Sequence, residues 1–214
     1  MLNRGVDKRT IFMDDRDRAR FVHDLWEFND VENALNAGRR MAHDVRGLRN
    51  QSLREPIIDL HGWSIMGNHY HLLMSERVDG GITKFIRRLN VGYANYFNER
   101  YERKGALFQG RSKKILIERD AHFLHILHYI HLNPLDFLPS AKSWRLGSVG
   151  NTEKALRHLA KYRWSSYLDY CGTMNFPSIL TTDLFKDVFG NYKKEITQYL
   201  NDMDESVIGA YNLE

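Results

Sequence analysis

The sequence predicts an α+β fold: an antiparallel sheet with helices packed against one face, followed by a small helical extension. Three observations carry this. Two extended apolar runs, Pro56 to Ser64 and His69 to Glu76, flank Met66-Gly67-Asn68, a spacing suited to a turn between antiparallel neighbours. A long amphipathic stretch follows from Gly81 to about Lys104, with Phe85, Leu89 and Tyr96 or Phe97 on one side and arginines on the other. Beyond Pro139 the chain still holds Trp164, Tyr167, Tyr170, Phe176, Leu180, Leu184, Phe185 and Phe189, enough apolar material for further short helices.

The elements follow in order. A short strand is expected near Asn3 to Val6. Asp14-Asp15 opens a helix in which Phe21, Leu25 and Phe28 recur at spacings of four and three. Asn29 to Arg54 is a charged, helix-prone connection to the paired strands. After the amphipathic helix Gly105 breaks the pattern, and Lys113 to Glu118 predicts another strand. The next helix starts at Asp120 as N-cap and ends before Pro134, which has no N–H to give a helix interior. Ser140 to Leu159 is a connection expected on the surface. Trp164-Ser165-Ser166-Tyr167 is expected to clamp the tail to the core, because paired aromatics on a short helix more often pack than contact bases. Gly190 marks a helix end before Tyr192 to Leu200.

Composition limits the function classes. At 214 residues the chain suits one domain of about 130–150 residues with an appendage. Cys171 is the single cysteine, which excludes a disulfide framework and a cysteine-rich zinc site and points to a reducing, cytoplasmic setting. No apolar run approaches the roughly 18 residues that span a bilayer, and no signal-peptide core follows Met1-Leu2-Asn3-Arg4. Net charge is only +4, but it is uneven. Lys84, Arg87, Arg88, Arg100, Arg103, Lys104, Arg111, Lys113 and Lys114 face only Glu99 and Glu102, a local excess of seven. Such a face is often merely solvated. With Tyr93, Tyr96, Tyr101 and Phe108 nearby to stack on bases, it also suits a groove for phosphate backbone and unpaired nucleotides, with Lys84, Arg87, Arg88, Arg111, Lys113 and Lys114 as candidate contacts.

The chemistry concentrates in two segments. In Gly67-Asn68-His69-Tyr70-His71-Leu72, a strand puts His69 and His71 on one face and Tyr70 on the other, and two convergent imidazoles are half of a divalent-metal site. Alone, the pair reads more readily as one core histidine and one exposed neighbour than as a metal site. In His128-Tyr129-Ile130-His131-Leu132-Asn133-Pro134, at about 100° per residue, Asn133 falls roughly 40° from Tyr129 and His125 roughly 40° to its other side. Phe123, Leu127 and Ile130 form a stripe displaced from that face. Tyr129 therefore sits on a polar stripe with its hydroxyl available for chemistry and the Asn133 carbonyl oxygen as a third metal ligand, or, as the segment alone reads more readily, it is a half-buried helix tyrosine with Asn133 a turn residue before proline.

These segments are part of a longer series. Asn3-Arg4-Gly5-Val6, Asp14-Asp15 with Arg20-Phe21, Met66-Gly67-Asn68-His69-Tyr70-His71-Leu72-Leu73, Tyr96-Phe97-Asn98, Leu107-Phe108-Gln109-Gly110-Arg111, Tyr129 to Pro134 and Trp164-Ser165-Ser166-Tyr167 follow in that order. The series resembles the IS200-like single-tyrosine HUH transposases, in the branch of REP-associated tyrosine transposases. The resemblance implies a ferredoxin-like sheet of the HUH endonuclease type, with residues 1–139 as catalytic domain and 140–214 as linker and helical extension. It implies that His69 and His71 bind the metal with Asn133 as third ligand, and that Tyr129 is the nucleophile. The activity implied is cleavage and rejoining of single-stranded DNA beside REP-like hairpins through a 5′-phosphotyrosine intermediate, by a monomer or homodimer. Phosphate oxygens and water would complete an octahedral shell, which favours Mg²⁺ or Mn²⁺. Tyrosine ionises near pH ~10 when unperturbed, so its proton must be removed with help, and His125 is one candidate base. The alternative is a catalytically inactive or domesticated hairpin-binding protein. The sequence departs from the family in its short first strand, in Asn29 to Arg54, and in Ser140 to Leu159.

Overall fold

The computed structural model describes residues 1–32, 54–118 and 120–203, with the backbone alone at 120, 121 and 124. Most of the connection expected between Asn29 and Arg54 lies outside the described residues. Three antiparallel strands, β1 (Leu2–Arg4), β2 (Ile58–Ile65) and β3 (His69–Glu76), form a sheet in the order β1-β3-β2. The β2–β3 connection closes where the Met66 N–H donates to the His69 carbonyl at 2.8 Å. The first strand pairs Leu2 with His71, Asn3 with Tyr70 and Arg4 with His69, so it braces the histidine segment from its other side.

β3 is the central strand, and its alternation divides the molecule. Tyr70 and Leu72 enter one apolar cluster with Phe21 and Leu25 of α1 (Asp15–Glu27) and Phe85, Leu89 and Tyr93 of α2 (Gly81–Arg100). Tyr70 also donates to Asn90 Oδ1 at 2.7 Å. Leu73 packs on a second cluster built from α3 (Asp120–Leu132) and the tail. A bulge between Leu60 and Gly62 shifts the period of β2, so Leu60, Trp63 and Ile65 all reach the first cluster. Gly62 then faces α3: a Cβ there would sit 2.7 Å from Leu127 Cδ1, so the missing side chain lets the helix approach the strand.

Two expectations are corrected. Helices cover both faces of the sheet rather than one, because β3 is buried on both sides and each set of alternate residues needs its own cover. The strand expected over Lys113 to Glu118 does not form. That segment meets the sheet only through an isolated bridge from Lys113 to Leu2, with Lys113 N–H donating to Leu2 O at 2.8 Å. Gly110, at φ +70, turns the chain just before it, and β1 is only three residues long, so there is no edge for a longer ladder.

The tail is helical as expected, with α4 (Thr152–Lys161), α5 (Tyr167–Tyr170), α6 (Asp183–Phe189) and α7 (Tyr192–Asn201), and Gly190 ends α6. Trp164 to Tyr167 is the clamp. Ile65 N–H donates to Trp164 O and Ser166 N–H to Trp63 O, both at 3.0 Å, so this segment caps the open edge of β2. The surface connection expected over Ser140 to Leu159 is instead built in: Ala141, Trp144, Ala155 and Leu159 are buried in the second cluster. The reason is its apolar content at helical spacing, which α3 alone leaves without cover.

On the far side of the sheet, α1 and α2 are joined by charge. Asp14 caps α1 by accepting from Asp17 N–H at 3.1 Å, and Arg100 at the end of α2 donates to the Asp14 carboxylate at 2.6 Å. That hydrogen bond from Arg100 holds the Asp14 carboxyl at about 2, below its usual 3.8. Its contribution is therefore complete above pH 3.8 and fades as pH falls toward 2. Asp14→Asn keeps a capping side chain and removes the charge. We expect it to lower the thermal midpoint at pH 7 by roughly 1–3 °C, with the gap to wild type closing on acidification from pH 5; a gap independent of pH would contradict the assignment.

Candidate active site

β3 and α3 meet across the face opposite Tyr70. His69 and His71 are 7% and 5% exposed, and their ring centroids lie 5.0 Å apart at 78°. The alternation predicted for this strand thus holds, with both imidazoles on one side. Asn68 sets the first ring. Its amide nitrogen donates to Lys8 O at 3.0 Å, which turns its carbonyl oxygen toward His69 Nδ1 at 2.7 Å. An amide oxygen only accepts, so His69 Nδ1 carries a hydrogen toward it and Nε2 faces away from Asn68.

Tyr129 stands edge-on to His71, with ring centroids 5.9 Å apart. The β3 face and the α3 face thus bring the two histidines and the tyrosine together although they are about sixty residues apart in the chain. Asn133 lies on the same face of the helix, and its amide nitrogen donates to the Tyr129 carbonyl at 2.8 Å. His71 and Tyr129 open into a cleft of about 580 Å³ with largely apolar walls. Leu73, Ile126 and Phe185 contribute to those walls, and Lys113 and Lys114 also line it.

The polar stripe of α3 is not open to solvent. Tyr129 is 6% exposed and Asn133 fully buried, because the turn Pro139–Leu146 folds over them. That turn brings in Arg145, which sequence reasoning missed. Its Nη1 donates to the Tyr129 hydroxyl oxygen at 2.7 Å, and its Nη2 donates to Asn133 Oδ1 at 2.7 Å and to Asp136 Oδ2 at 2.8 Å. Tyr129 in the last turn of α3 and Asn133 and Asp136 in the 3₁₀ turn Asn133–Phe137 that follows it thus converge on one guanidinium. Trp144 fixes the other end of this group: its indole N–H donates to Asp136 Oδ1 at 2.7 Å, and Arg145 lies 4.4 Å over its ring. The available signal was the neighbouring Trp144, a large aromatic that is on average well buried.

The other sequence candidates separate. Lys113 and Lys114 reach the cleft, and the Lys114 ammonium also lies 3.4 Å from Thr83 Oγ1. Lys84 and Arg88 turn to backbone carbonyls after α1, Lys84 to Val31 O at 3.0 Å and Arg88 to Asp30 O at 2.5 Å. Arg87 and Arg111 are exposed and do not line the cleft. His125 packs on Tyr199, centroids 5.4 Å apart, in a separate cavity with His128, Glu195 and Asp202. Burial lowers the His125 pKa, and neighbouring His122 lowers it further. Among the described residues no group of three or more His, Cys, Asp or Glu side chains is placed to hold a metal ion.

Behind the tyrosine, the same helix is locked to the tail. His131 is fully buried, with Nδ1 2.7 Å from the Tyr192 hydroxyl and Nε2 2.7 Å from Ser166 Oγ. Burial depresses its pKa well below the ordinary value, so it stays neutral. Ser166 Oγ also accepts from Trp63 N–H at 3.0 Å. One chain of hydrogen bonds therefore runs from β2 through Ser166 and His131 to α7, and it fixes the rotation of α3 about its axis.

Residues 26–133, just over half of the chain, match the family model described as "Transposase IS200 like". The chain belongs to the IS200-like transposase family. No curated protein and no solved structure matches it. Membership supports a transposase function, with DNA as partner and DNA recombination as outcome. The matched span of this transposase covers β2, β3, α2 and α3, with His69 and His71 near its middle and Tyr129 and Asn133 at its end. Arg145 and the clamp lie beyond it. Among the described residues no helix is long and apolar enough to cross a membrane.

His131→Leu would remove both side-chain bonds and leave the Tyr192 and Ser166 hydroxyls in apolar surroundings. We expect a loss of roughly 1–3 kcal/mol in urea unfolding, with Tyr192→Phe costing less because it deletes the donor and leaves no orphan on α7. Equal stability of His131→Leu and wild type would show that the network does not hold α3.

Proposed function

We propose that this transposase is a single-strand DNA strand transferase of the REP-associated branch, built on a ferredoxin-like HUH scaffold, which cleaves and rejoins DNA beside hairpins. The observation that carries the reading is the placement of Tyr129 against His71 in the wall of a cleft that Lys113 and Lys114 also line. The clamp motif after the matched span, Trp164 to Tyr167, supports the branch assignment.

The donor set fits a divalent ion in part. His69 turns Nδ1 to Asn68, so Nε2 is the atom that would hold the ion, and His71 shares its face. Asn133 Oδ1 accepts from Arg145, so its use as third ligand requires exchange of that bond. Mg²⁺ or Mn²⁺ bound there would supply Lewis-acid polarisation of the scissile phosphate. Tyr129 attacks phosphorus in line: the phenolic oxygen–phosphorus bond forms, the phosphorus–O3′ bond breaks, and the phenolic oxygen gives up its proton while O3′ takes one up. The phosphotyrosine ester keeps the energy of the broken bond, so a later 3′-hydroxyl can reverse the attack and join strands. The apolar walls around Tyr129 limit water, which favours transfer over hydrolysis. Lys113 and Lys114, which line the cleft, offer charge to the strand backbone.

The deciding experiment incubates the protein with labelled single-stranded DNA from its own locus and Mn²⁺, followed by denaturing gels. A covalent band that disappears in Tyr129→Phe and with chelator is expected. Hairpin binding without any adduct would replace this reading with that of a binding module. Asn68→Ala would release the His69 ring, and Mn²⁺ affinity, followed by paramagnetic resonance of the free ion, is expected to fall about 10-fold. Unchanged affinity would remove Asn68 from the site.

A further inference from the structure

Arg145 touches the oxygen that the proposed reaction uses. Its guanidinium donates to the Tyr129 hydroxyl, Asn133 Oδ1 and Asp136 Oδ2 at 2.7, 2.7 and 2.8 Å, and its carbon lies 5.4 Å from the Tyr129 ring centroid. Asp136 and Trp144 hold it in that position. We propose that Arg145 is a catalytic residue of strand transfer: it fixes the Tyr129 oxygen for attack and contacts the scissile phosphate as the new bond forms. The inference rests on the phosphotyrosine reading above.

The physical argument is one of distance. A nucleophile poised for attack sits about 3–3.5 Å from the reacting atom. A phosphate placed that close to the Tyr129 oxygen brings its non-bridging oxygens to a guanidinium already 2.7 Å from the same atom. The planar five-donor fork of arginine suits phosphate oxygens, and a fixed cation beside the transferring group stabilises its charge without reorganisation. By accepting from Arg145, the phenolic oxygen is held by a donor, so its own hydrogen points elsewhere and can leave. Asp136 balances the charge in the resting site, and its carboxylate is held on the side of Arg145 that faces Trp144. The rival role is that of a staple joining the turn Pro139–Leu146 to α3, in which Arg145 supports the fold and does nothing to the chemistry.

The test uses the full chain as wild type, Arg145→Gln, Arg145→Lys and Tyr129→Phe. Single-turnover adduct formation is measured at saturating single-stranded DNA with Mn²⁺, DNA affinity separately, and the ¹³Cζ tyrosine spectrum without DNA or metal. Arg145→Gln is expected to slow adduct formation about 100-fold with DNA affinity within a factor of about 3, and to move the Tyr129 resonance identified by Tyr129→Phe. Arg145→Lys keeps the charge without the fork, and is expected to restore part of the rate. A staple alone would lower stability and leave the rate of folded protein unchanged, which overturns the proposal. If Arg145→Gln does not fold, Arg145→Lys decides: a rate equal to wild type overturns the role, and a loss of about 10-fold at unchanged affinity supports it. A wild-type protein that forms no adduct sinks the phosphotyrosine reading and Arg145 with it. A wild-type adduct that Arg145→Gln forms equally fast sinks Arg145 alone.

Discussion

The two-residue alternation of β3 is the constraint on which the rest depends. It sends Tyr70 and Leu72 to the layer of α1 and α2 and turns His69, His71 and Leu73 toward α3 and the tail. A slip of one residue in its pairing would exchange the faces, putting imidazoles into the packing of Phe21, Phe85 and Tyr93 and exposing Tyr70 to the cleft. β1 and β2 on either side hold the register, and the bulge at His61 lets β2 follow the same division despite its uneven apolar spacing. The site is thus a consequence of how the sheet buries itself.

A second layer of constraint sets the position of Tyr129. α3 contributes Tyr129 to the front and His131 to the back, two positions that differ by roughly 200° around the helix. The back is anchored through Ser166 to β2 and through Tyr192 to α7, while the front is held by Arg145. Both anchors lie after the helix in sequence, in residues that the family match does not cover. The tail therefore helps to hold α3 and brings Arg145 to the Tyr129 hydroxyl.

The charges are arranged with the same economy. Arg145 is paired with Asp136 and stacked on Trp144, so a cation is kept beside the tyrosine in a poorly solvated setting without being left unbalanced. The neutral state of His131 avoids a second cation behind the helix. On the far face, Arg100 joins α1 and α2 through Asp14 and Asp17, away from the chemistry. Of the basic residues on and after α2, those at the end of the 107–114 segment reach the cleft, and Lys84 and Arg88 instead cap the carbonyls that follow α1.

Sequence alone determined the strand–turn–strand pair, the shared face of His69 and His71, the helix ending at Pro134, the clamp role of Trp164 to Tyr167 and the helical tail, because each follows from local periodicity or from a residue with a fixed backbone preference. It also placed Tyr129 and Asn133 on one face, since helical angle needs no tertiary information. It did not determine what covers that face. The connection from Ser140 to Leu159 reads locally as a surface insertion, and only packing against α3 turns Trp144 inward and carries Arg145 to Tyr129. Lys113 to Glu118 has the composition of a strand, but a strand needs a partner edge, and three residues of β1 do not provide one. Local pattern fixes which side a residue takes on its own element; which element lies opposite is decided only when apolar faces distant in sequence compete for cover.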